Sequence, residues 1–283
     1  MIGPFCSING TLVPIAEATV SMDDVNFQYG YGVYETLKVR NGVLFFADLH
    51  EQRLFHSAAV IGLLHALEPG IVPRWTRDLV VANGITNANI KQLLIGSPSH
   101  TDPEAATLSI MALNPLFPDR KLYQHGAKVI TFNGERQWPQ AKSLNMLTST
   151  IAYRSAVAAG AYDALLVNRD GIVTEGTRTN LYAVRGSQVW AAPAPLVLEG
   201  VTGITLAHVL LEAGFTLIER AFTREDLLAS DGCFLTSTSS KVMPVSRIDE
   251  RSIAVPESIR MIMKAYGRFL DDYLSTERAE TGL

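Results

Sequence analysis

A lysine and a glutamate in the middle of the chain carry side chains that could do chemistry together. Lys142 lies in the segment QAKSLNM, where other charges are sparse, and Glu175 stands beside Gly176, after a helix-like run and a hairpin. Desolvation disfavours the ammonium form of a lysine, so a buried amine can attack a carbonyl group. The alternative is that Lys142 is an exposed lysine next to a helix start, since most lysines are exposed.

Three further places have groups that could bind an anion. Val201 and Thr202 open a predicted helix, and a helix N-terminus presents free N–H groups and the positive end of a dipole. Thr238 and Ser239 lie in the run TSTSS, where hydroxyl and amide donors share a turn. Arg53 is the only arginine of its predicted helix. Each has an ordinary alternative as a cap, a solvated turn or a surface arginine. Together with a lysine and a carboxylate, they form the set that pyridoxal 5′-phosphate requires.

The composition is that of a globular protein. The chain has 283 residues, of which 47% are hydrophobic and 18% charged, with a net charge of -4. This size allows one large domain or two ordinary ones, and the charge gives no reason to expect nucleic acid or a membrane as a partner. Cys6 and Cys233 lie far apart and outside any Cys/His cluster, so we expect neither a metal site nor a disulfide framework. The opening MIGPFCSING lacks the features of a signal peptide, and we expect a cytoplasmic protein.

The order of predicted elements favours an α+β fold. Asn9-Gly10 and Asn41-Gly42 each separate two short strand-like runs, which is the pattern of β-hairpins. Asp48 is predicted to cap the helix LHEQRLFHSAAVIGLL. Strands and helices alternate without a strict βαβ rhythm, which favours largely antiparallel sheets with flanking helices.

Two more helices are predicted near the candidate residues, over LNMLTSTIAYRSAVAAG and VTGITLAHVLLEAG. Between the two halves of the chain, prolines and charges in NPLFPDRK interrupt the pattern. We therefore predict a smaller N-terminal domain over residues 1–115, a linker over 116–122 and a larger C-terminal, cofactor-binding domain over 123–283.

Six ordered motifs resemble the fold type IV pyridoxal-phosphate enzymes, the class IV aminotransferases, which include branched-chain aminotransferases, D-amino-acid aminotransferases and aminodeoxychorismate lyase. These motifs are FQYGYGVYET, LHEQRLFHSA, AKSLNML, LLVNRDGIVTEGTRTNLYAV, LEGVTGITLAHVL and FLTSTSSKVMPV. The resemblance implies a two-domain fold type IV enzyme, a homodimer and transfer of an amino group from an amino acid or related primary amine to a 2-oxo acid. Two alternatives stay open: a lyase of the aminodeoxychorismate type that releases pyruvate, and a non-catalytic binding protein of the same fold.

The resemblance also implies residue roles. Lys142 matches the lysine that binds pyridoxal phosphate covalently and moves the proton, and Glu175 matches the carboxylate that pairs with the ring nitrogen. The residues that match phosphate-binding positions are Arg53, Val201, Thr202, Thr238 and Ser239. The residues assigned to the substrate pocket are Tyr29, Tyr34, Glu35, Lys91 and Arg178.

The chain departs from the family where a substrate carboxylate is bound. Asn89-Ile90-Lys91 stands where branched-chain aminotransferases carry an arginine, and Leu94-Ile95-Gly96 stands where D-amino-acid enzymes carry Thr-Arg-Gly. The candidate substitutes are Lys91, Arg136, Trp138 and Arg178, each of which could instead be an ordinary surface or packing residue. Glycine at position 203 replaces a common arginine. The loop SPSHTDPE, which contains His100, is a candidate substrate gate.

Overall fold

The computed structural model describes residues 1–97 and 101–281, so His100 lies outside the described residues. The chain divides into two compact units. The first comprises Met1–Leu116, Ala141–Asn145 and the end of the chain from Leu274, and the second comprises Phe117–Gln140 and Met146–Tyr273. Lys142 therefore belongs to the unit that is built mainly from N-terminal residues. The domain boundary that the sequence places at 116–122 stays a prediction.

The first unit is an antiparallel sheet with helices packed on one face. Its elements are β1 (Phe5–Ile8), β2 (Thr11–Pro14), α1 (Val25–Tyr29), β3 (Gly32–Arg40), β4 (Val43–Leu44), α2 (Ala47–Val60), α3 (Ile71–Ala82), β5 (Asn87–Ile95) and β6 (Thr107–Leu113). The strand order is β2-β1-β6-β5-β3-β4. Fully buried leucine and isoleucine side chains from β3, β5, α2 and α3 form its core. Burial of this apolar surface is the main force that holds the helices on the sheet.

Both predicted hairpins are confirmed. Asn9 and Gly10 have φ angles of 46° and 82°, and Asn41 and Gly42 have φ angles of 51° and 81°. These left-handed angles are the ones that a tight two-residue turn needs at both positions, which explains the Asn-Gly pairs. The prediction that Asp48 caps its helix is wrong. The helix α2 begins at Ala47, and Asp48 lies inside the first turn, where its charge favours the helix dipole.

The second unit is built around a sheet of nine strands. Its elements are α4 (Arg120–His125), β7 (Ala127–Asn133), α5 (Leu147–Ala158), β8 (Asp163–Val167), β9 (Val173–Gly176), β10 (Asn180–Arg185), β11 (Gln188–Ala191), α6 (Val201–Glu212), β12 (Thr216–Glu219), α7 (Arg224–Leu228), β13 (Gly232–Ser237), β14 (Lys241–Ile248) and β15 (Arg251–Ser252). The closing helix of the chain is α8 (Glu257–Thr281). The two helices predicted next to the candidate residues are confirmed as α5 and α6.

The strand order of this sheet is β12-β11-β10-β13-β14-β7-β8-β9, with β15 on β14 and an additional pairing of β9 with β10. Pairing is mostly antiparallel, and β11/β12, β14/β7 and β7/β8 are parallel. An α+β fold with largely antiparallel sheets is therefore confirmed. The pairing of β9 with β10 joins Glu175 to Asn180, and β10 in turn pairs Asn180 with Thr236. Glu175 and the segment that precedes Thr238 and Ser239 thus both lie next to the start of β10, at one end of this sheet.

Among the described residues, no helix combines the length and the apolar character that a membrane crossing needs.

Candidate active site

The backbone of Lys142 is held against β3 in the first unit. The N–H of Tyr34 donates to the carbonyl of Lys142 at 2.9 Å, and the N–H of Leu144 donates to the carbonyl of Gly32 at 2.9 Å. An isolated antiparallel bridge joins Val33 and Ser143. Lys142 and Tyr34 are therefore direct cross-strand partners, and the side chains of such a pair lie on the same face of a sheet.

The ring of Tyr34 lies close to two amines. The Nζ atom of Lys142 is 4.7 Å from the ring centroid, and the Nζ atom of Lys91 is 5.2 Å from it. Lys91 stands on β5 opposite Thr36, two residues along β3 from Tyr34 on the same face. Among residues 1–97 and 101–281, no carboxylate pairs with the Lys91 ammonium group. Two lysine side chains beside one aromatic ring form a site suited to an anion.

Tyr34 and Glu35 point to opposite faces of the sheet, because side chains alternate along a strand. Glu35 is fully buried on the helix-packed face. Its carboxylate accepts hydrogen bonds from Arg53 Nε and Nη2, both at 2.7 Å, and lies 2.7 Å from His50 Nδ1. Tyr34 and Glu35, which the sequence analysis assigns to one substrate pocket, therefore have different surroundings.

Burial opposes the ionisation of Glu35, but Arg53 and then His50 more than offset this, so the pKa of the carboxyl is held well below its usual range. Burial lowers the pKa of His50, which favours the neutral imidazole with its Nδ1–H donated to Glu35. A bidentate pair between a guanidinium and a carboxylate fixes the orientation of the arginine. Glu35 therefore orients Arg53.

Arg53 and Lys142 are linked through helix α2. Ser57 follows Arg53 by four residues, so the two side chains lie on the same face of the helix. The N–H of Lys142 donates to Ser57 Oγ at 3.0 Å. The structure thus brings Lys142, Tyr34 and Lys91 together on one face of β3. Arg53 lies one helical turn before Ser57, whose hydroxyl binds the backbone of Lys142.

The other two residues assigned to the substrate pocket lie on the surface of their units. Tyr29 ends α1 and is 81% exposed. Arg178 is exposed, and its guanidinium carbon lies 4.3 Å from the centroid of the Tyr153 ring and 5.4 Å from that of Tyr162. This stacking gives Arg178 a packing role within the second unit.

Glu175 is buried in β9 of the second unit, where two donors hold its carboxylate. Arg136 Nη1 lies 3.2 Å from Oε1, and the N–H of Leu198 donates to Oε2 at 3.3 Å. The turn after Glu175 is fixed by Asp163, a fully buried carboxylate that accepts hydrogen bonds from the hydroxyls of Thr177 and Thr179. Arg136 and Leu198 therefore hold the Glu175 carboxylate, and Asp163 holds the turn that follows it.

Helix α6 begins with the two residues that the sequence assigns to an anion. Val201 and Thr202 form its first turn, and the residue before them, Gly200, provides no side-chain cap. The first amides of the helix are thus without a capping side chain, and they carry the positive end of the helix dipole. A Cβ atom on Gly200 would lie 2.2 Å from Asn180 Oδ1, so glycine allows the helix to approach β10 without moving the Asn180 side chain.

The glycine at position 203, where the resemblance implies an arginine, has a local explanation. A Cβ atom at this position would lie 2.5 Å from the hydroxyl oxygen of Tyr182. Tyr182 is buried and stacks on Phe234, with ring centroids 5.2 Å apart. Burial raises the pKa of Tyr182 to about 12, so its phenol stays neutral. The tyrosine fills the space that a larger side chain at 203 would need.

The second turn assigned to an anion follows β13. Ser237 and Ser240 bracket it: their hydroxyl oxygens lie 2.6 Å apart, and the N–H of Ser240 donates to Ser237 Oγ at 3.0 Å. Thr238 and Ser239 lie between them and are partly buried. Because Asn180 contacts Gly200 and pairs with Thr236, this turn and the start of α6 lie at the same end of the sheet. Within the second unit, the structure therefore brings Glu175, Val201, Thr202, Thr238 and Ser239 to one place.

Comparison with known proteins identifies the family to which the chain belongs. Residues 32–248 match the family model of amino-transferase class IV. The chain is 33% identical over 252 residues to D-alanine aminotransferase of Bacillus licheniformis, covering 87% of this chain and 88% of that protein. The chain belongs to the class IV aminotransferases.

A second relative and a solved structure agree with this assignment. A branched-chain-amino-acid aminotransferase of Pseudomonas aeruginosa is 25% identical over 260 residues, covering 87% of this chain and 85% of that one. The branched-chain aminotransferase of the archaeon Thermoproteus uzoniensis, crystallised with norvaline, superposes with a TM-score of 0.82 at 25% identity and covers 94% of each chain. The predicted fold type IV architecture and the aminotransferase activity are confirmed, and the lyase alternative is not favoured.

Class IV aminotransferases use pyridoxal phosphate, and the chemistry of the donor set in this aminotransferase fits that cofactor. The start of α6 and the Ser237–Ser240 turn supply amides and hydroxyls suited to a phosphate group. Glu175 is a buried carboxylate suited to a protonated ring nitrogen, and Lys142 is a partly buried amine. The described residues hold no group of three or more His, Cys, Asp or Glu side chains that could bind a metal ion.

Three residues of this aminotransferase that support the site, Ser57, His50 and Asp163, were not found from the sequence, and neither was the contact of Arg136 with Glu175. Asp163 had a signal, since it is an acid at the start of the apolar strand DALLV. Buried acids are almost always paired, so it could have been expected to hold a neighbouring loop. The others depend on contacts between distant parts of the sequence and had no local signal.

The aminotransferase is expected to lose stability when Gly176 is replaced by alanine. A Cβ atom there would lie 2.1 Å from Thr179 Oγ1 and 2.7 Å from Asp163 Oδ2, so the buried Thr179 and Asp163 side chains, or the loop that follows Glu175, must shift. Overpacking of this kind costs about 1–3 kcal/mol. Urea unfolding of the apoenzyme measures the cost, and equilibrium dialysis measures the accompanying loss of cofactor affinity. The matched control is Gly267→Ala in α8, where a Cβ atom meets nothing within 4 Å. It should stabilise the protein by up to about 1 kcal/mol, because alanine favours a helix more than glycine does.

Proposed function

We propose that this aminotransferase acts on α-amino acids and that Lys142 is its catalytic residue. The observation that supports this most directly is the pairing of Lys142 with β3, which holds its amine 4.7 Å from the Tyr34 ring. When bound, pyridoxal phosphate supplies an electron-accepting ring that stabilises negative charge on the substrate Cα. The Lys142 amine would take the proton from that Cα as a general base and would then donate it, as a general acid, to the cofactor carbon that takes up the amino group.

The remaining residues bind and orient in this proposal. Arg53, the first amides of α6 at Val201 and Thr202, and the turn at Thr238 and Ser239 would hold the phosphate. Glu175 would accept a hydrogen bond from the protonated ring nitrogen. Fixing the phosphate and the nitrogen keeps the reacting carbon within reach of the Lys142 amine, which lowers the entropic cost of the reaction.

Lys91 is the residue that we propose for the substrate carboxylate. It lies on the same sheet face as Lys142 and near the same ring, and no carboxylate neutralises it among the described residues. It also stands at the position where branched-chain enzymes carry their arginine. An amine that binds a carboxylate contributes to the binding of α-amino acids and 2-oxo acids, but not to that of simple primary amines.

The test is a donor panel followed by absorption of the bound cofactor. It includes D-alanine, because the chain is 33% identical to a D-alanine aminotransferase, together with L-leucine, L-valine and simple primary amines. Transfer to 2-oxoglutarate or pyruvate from at least one α-amino acid supports the proposal. Pyruvate release from aminodeoxychorismate without amino transfer would contradict it.

The variant Lys91→Gln is expected to raise the KM for amino acid donors and 2-oxo acids about 10- to 100-fold, in line with the loss of one charge-assisted hydrogen bond. Its KM for a primary amine without a carboxylate should stay unchanged. Steady-state kinetics on both donor types measures the difference. A parallel rise for both types would show that Lys91 acts on the shape of the site instead. Lys264→Gln in α8, an exposed lysine, is the control.

We also propose that the protein works as a homodimer in the cytoplasm. Several large apolar side chains are exposed between Val20 and Tyr29, including Met22 and Phe27, and a cluster of this kind is typical of a protein interface. Both cysteines are buried and free, which suits a reducing compartment. Sedimentation velocity tests the dimer, and the double variant Met22→Glu/Phe27→Glu should shift the protein towards the monomer.

A further inference from the structure

The contact between Arg136 and Glu175 joins a residue with no assigned role to a residue of the proposed cofactor site. Arg136 lies in the irregular segment that follows β7, six residues before Lys142. Its Nη1 atom is 3.2 Å from Glu175 Oε1, and the two side chains are 13% and 5% exposed. The other carboxylate oxygen accepts the N–H of Leu198 at 3.3 Å. The carboxylate is therefore oriented by a charged donor on one oxygen and a backbone donor on the other.

A cation beside a buried carboxylate influences whether a proton shared with a ring nitrogen lies on the carboxylate or on the nitrogen. A carboxylate opposite a protonated ring nitrogen can stay anionic, or it can take the proton and leave the ring neutral. A nearby guanidinium favours the anionic form of the carboxylate, because the opposite charge stabilises it in a poorly solvated place. The proton then stays on the ring nitrogen, where it strengthens the electron-accepting character of the ring.

We propose that Arg136 is a positioning residue for the transamination reaction, which keeps the Glu175 carboxylate ionised and oriented towards the cofactor ring nitrogen. This inference rests on the proposed role of Glu175. It also gives Arg136 a different function from binding the substrate carboxylate, for which it was one of the candidates. An arginine that is committed to Glu175 in a buried pair is not available for the substrate.

The variant Arg136→Gln in the holoenzyme tests the inference with cofactor labelled with ¹⁵N in its ring. We expect the ¹⁵N chemical shift of the ring nitrogen to move from the protonated towards the unprotonated position. The kcat should fall about 10- to 100-fold, as is typical when a partner that orients a site group is lost, with little change in the KM of the amino donor. Arg136→Lys keeps the charge and should restore most of the shift and part of the kcat.

Two control variants separate this role from others. Arg169→Gln removes an arginine that is 81% exposed and paired with Glu135, and it should leave the shift and the kcat unchanged. In the Glu175→Gln background, Arg136→Gln should have no further effect on the shift, because Arg136 acts only through Glu175. The double variant also leaves no unpaired buried charge, so it provides a folded protein in case Arg136→Gln alone fails to fold.

Several results would overturn the inference. If Glu175→Gln moves the shift and Arg136→Gln does not, Arg136 has no positioning role while the proposed role of Glu175 stands. If neither variant moves the shift, both proposals fail. A rise in the KM at unchanged kcat would assign Arg136 to the substrate carboxylate, and a loss of stability at unchanged shift would make the pair purely structural.

Discussion

Replacing Lys142 with alanine is expected to reduce the kcat for transamination by about 10²- to 10⁴-fold or more. Proton transfer by a positioned side chain contributes a factor of this size, and the variant has no amine to take the proton from the substrate Cα. The change removes no proposed phosphate contact, so the variant should still bind pyridoxal phosphate without a covalent bond. Rapid-quench single-turnover kinetics measures the rate, and equilibrium dialysis measures the binding.

Covalent attachment of the cofactor provides a second, independent test that Lys142 is the catalytic residue. Reduction of the wild-type holoenzyme with borohydride should attach the cofactor to the peptide that contains Lys142, and mass spectrometry identifies the modified residue. The matched control is Lys264→Ala, an exposed lysine in α8, which should keep the wild-type rate and the wild-type modification. Wild-type turnover by Lys142→Ala, or modification of Lys91 instead, would show that the assignment of the amine is wrong.

The parts of the fold that the sequence predicts are those with a local physical cause. The Asn-Gly turns are recognisable because few other pairs adopt two left-handed residues in succession. The helices α5 and α6 are recognisable from uninterrupted segments that end near Gly160 and Gly214, whose left-handed φ angles of 63° and 80° are typical of a helix end. Short α1 was not predicted, because its five residues lie in an aromatic and glycine-rich stretch without helical periodicity.

The candidate site could be assigned from ordered motifs, but its internal contacts could not. Tyr34 and Glu35 are adjacent in the motif, and the motif alone does not say that they face different surroundings. The alternation of a strand does say so, once β3 is known to extend through both residues. The grouping of Lys142 with the N-terminal unit depends on a short pairing with β3 that leaves no periodic pattern in the sequence.

Glu35→Gln is expected to lower the free energy of unfolding by about 3–5 kcal/mol, the cost of breaking a buried ion pair by removing one partner. The carboxylate of Glu35 is fully buried, and Arg53, which is 10% exposed, would keep its charge without the oxygen pair that neutralises it. Urea unfolding of the apoenzyme at neutral pH measures the loss. Cofactor affinity should fall as well, because Arg53 loses the carboxylate that orients it.

The control is Glu250→Gln, which also removes a carboxylate that contacts two cations, Lys128 and Arg247. Glu250 is 78% exposed, so solvent screens its pairs and the expected cost is only about 0–1 kcal/mol. The two variants delete the same charge and differ in burial. If their unfolding midpoints shifted by the same amount, the buried pair at Glu35 would contribute no more than a surface pair.

The pH dependence of the free energy of unfolding tests whether the ionised form of Glu35 stabilises the fold. The pKa of Glu35 is lower in the folded protein than its ordinary value of 4.5, because Arg53 and His50 together more than offset the opposing effect of burial. A carboxyl of this kind stabilises the fold above its unfolded-state pKa, and this contribution is lost as the pH falls below about 4.5. Wild-type stability should therefore decrease more steeply than that of Glu35→Gln between about pH 5 and pH 3. If the stability of the wild type and of Glu35→Gln changed in parallel with pH, Glu35 would not be the ionised partner that holds Arg53 in place. The orientation of Arg53, the proposed phosphate-binding arginine, would then need another cause.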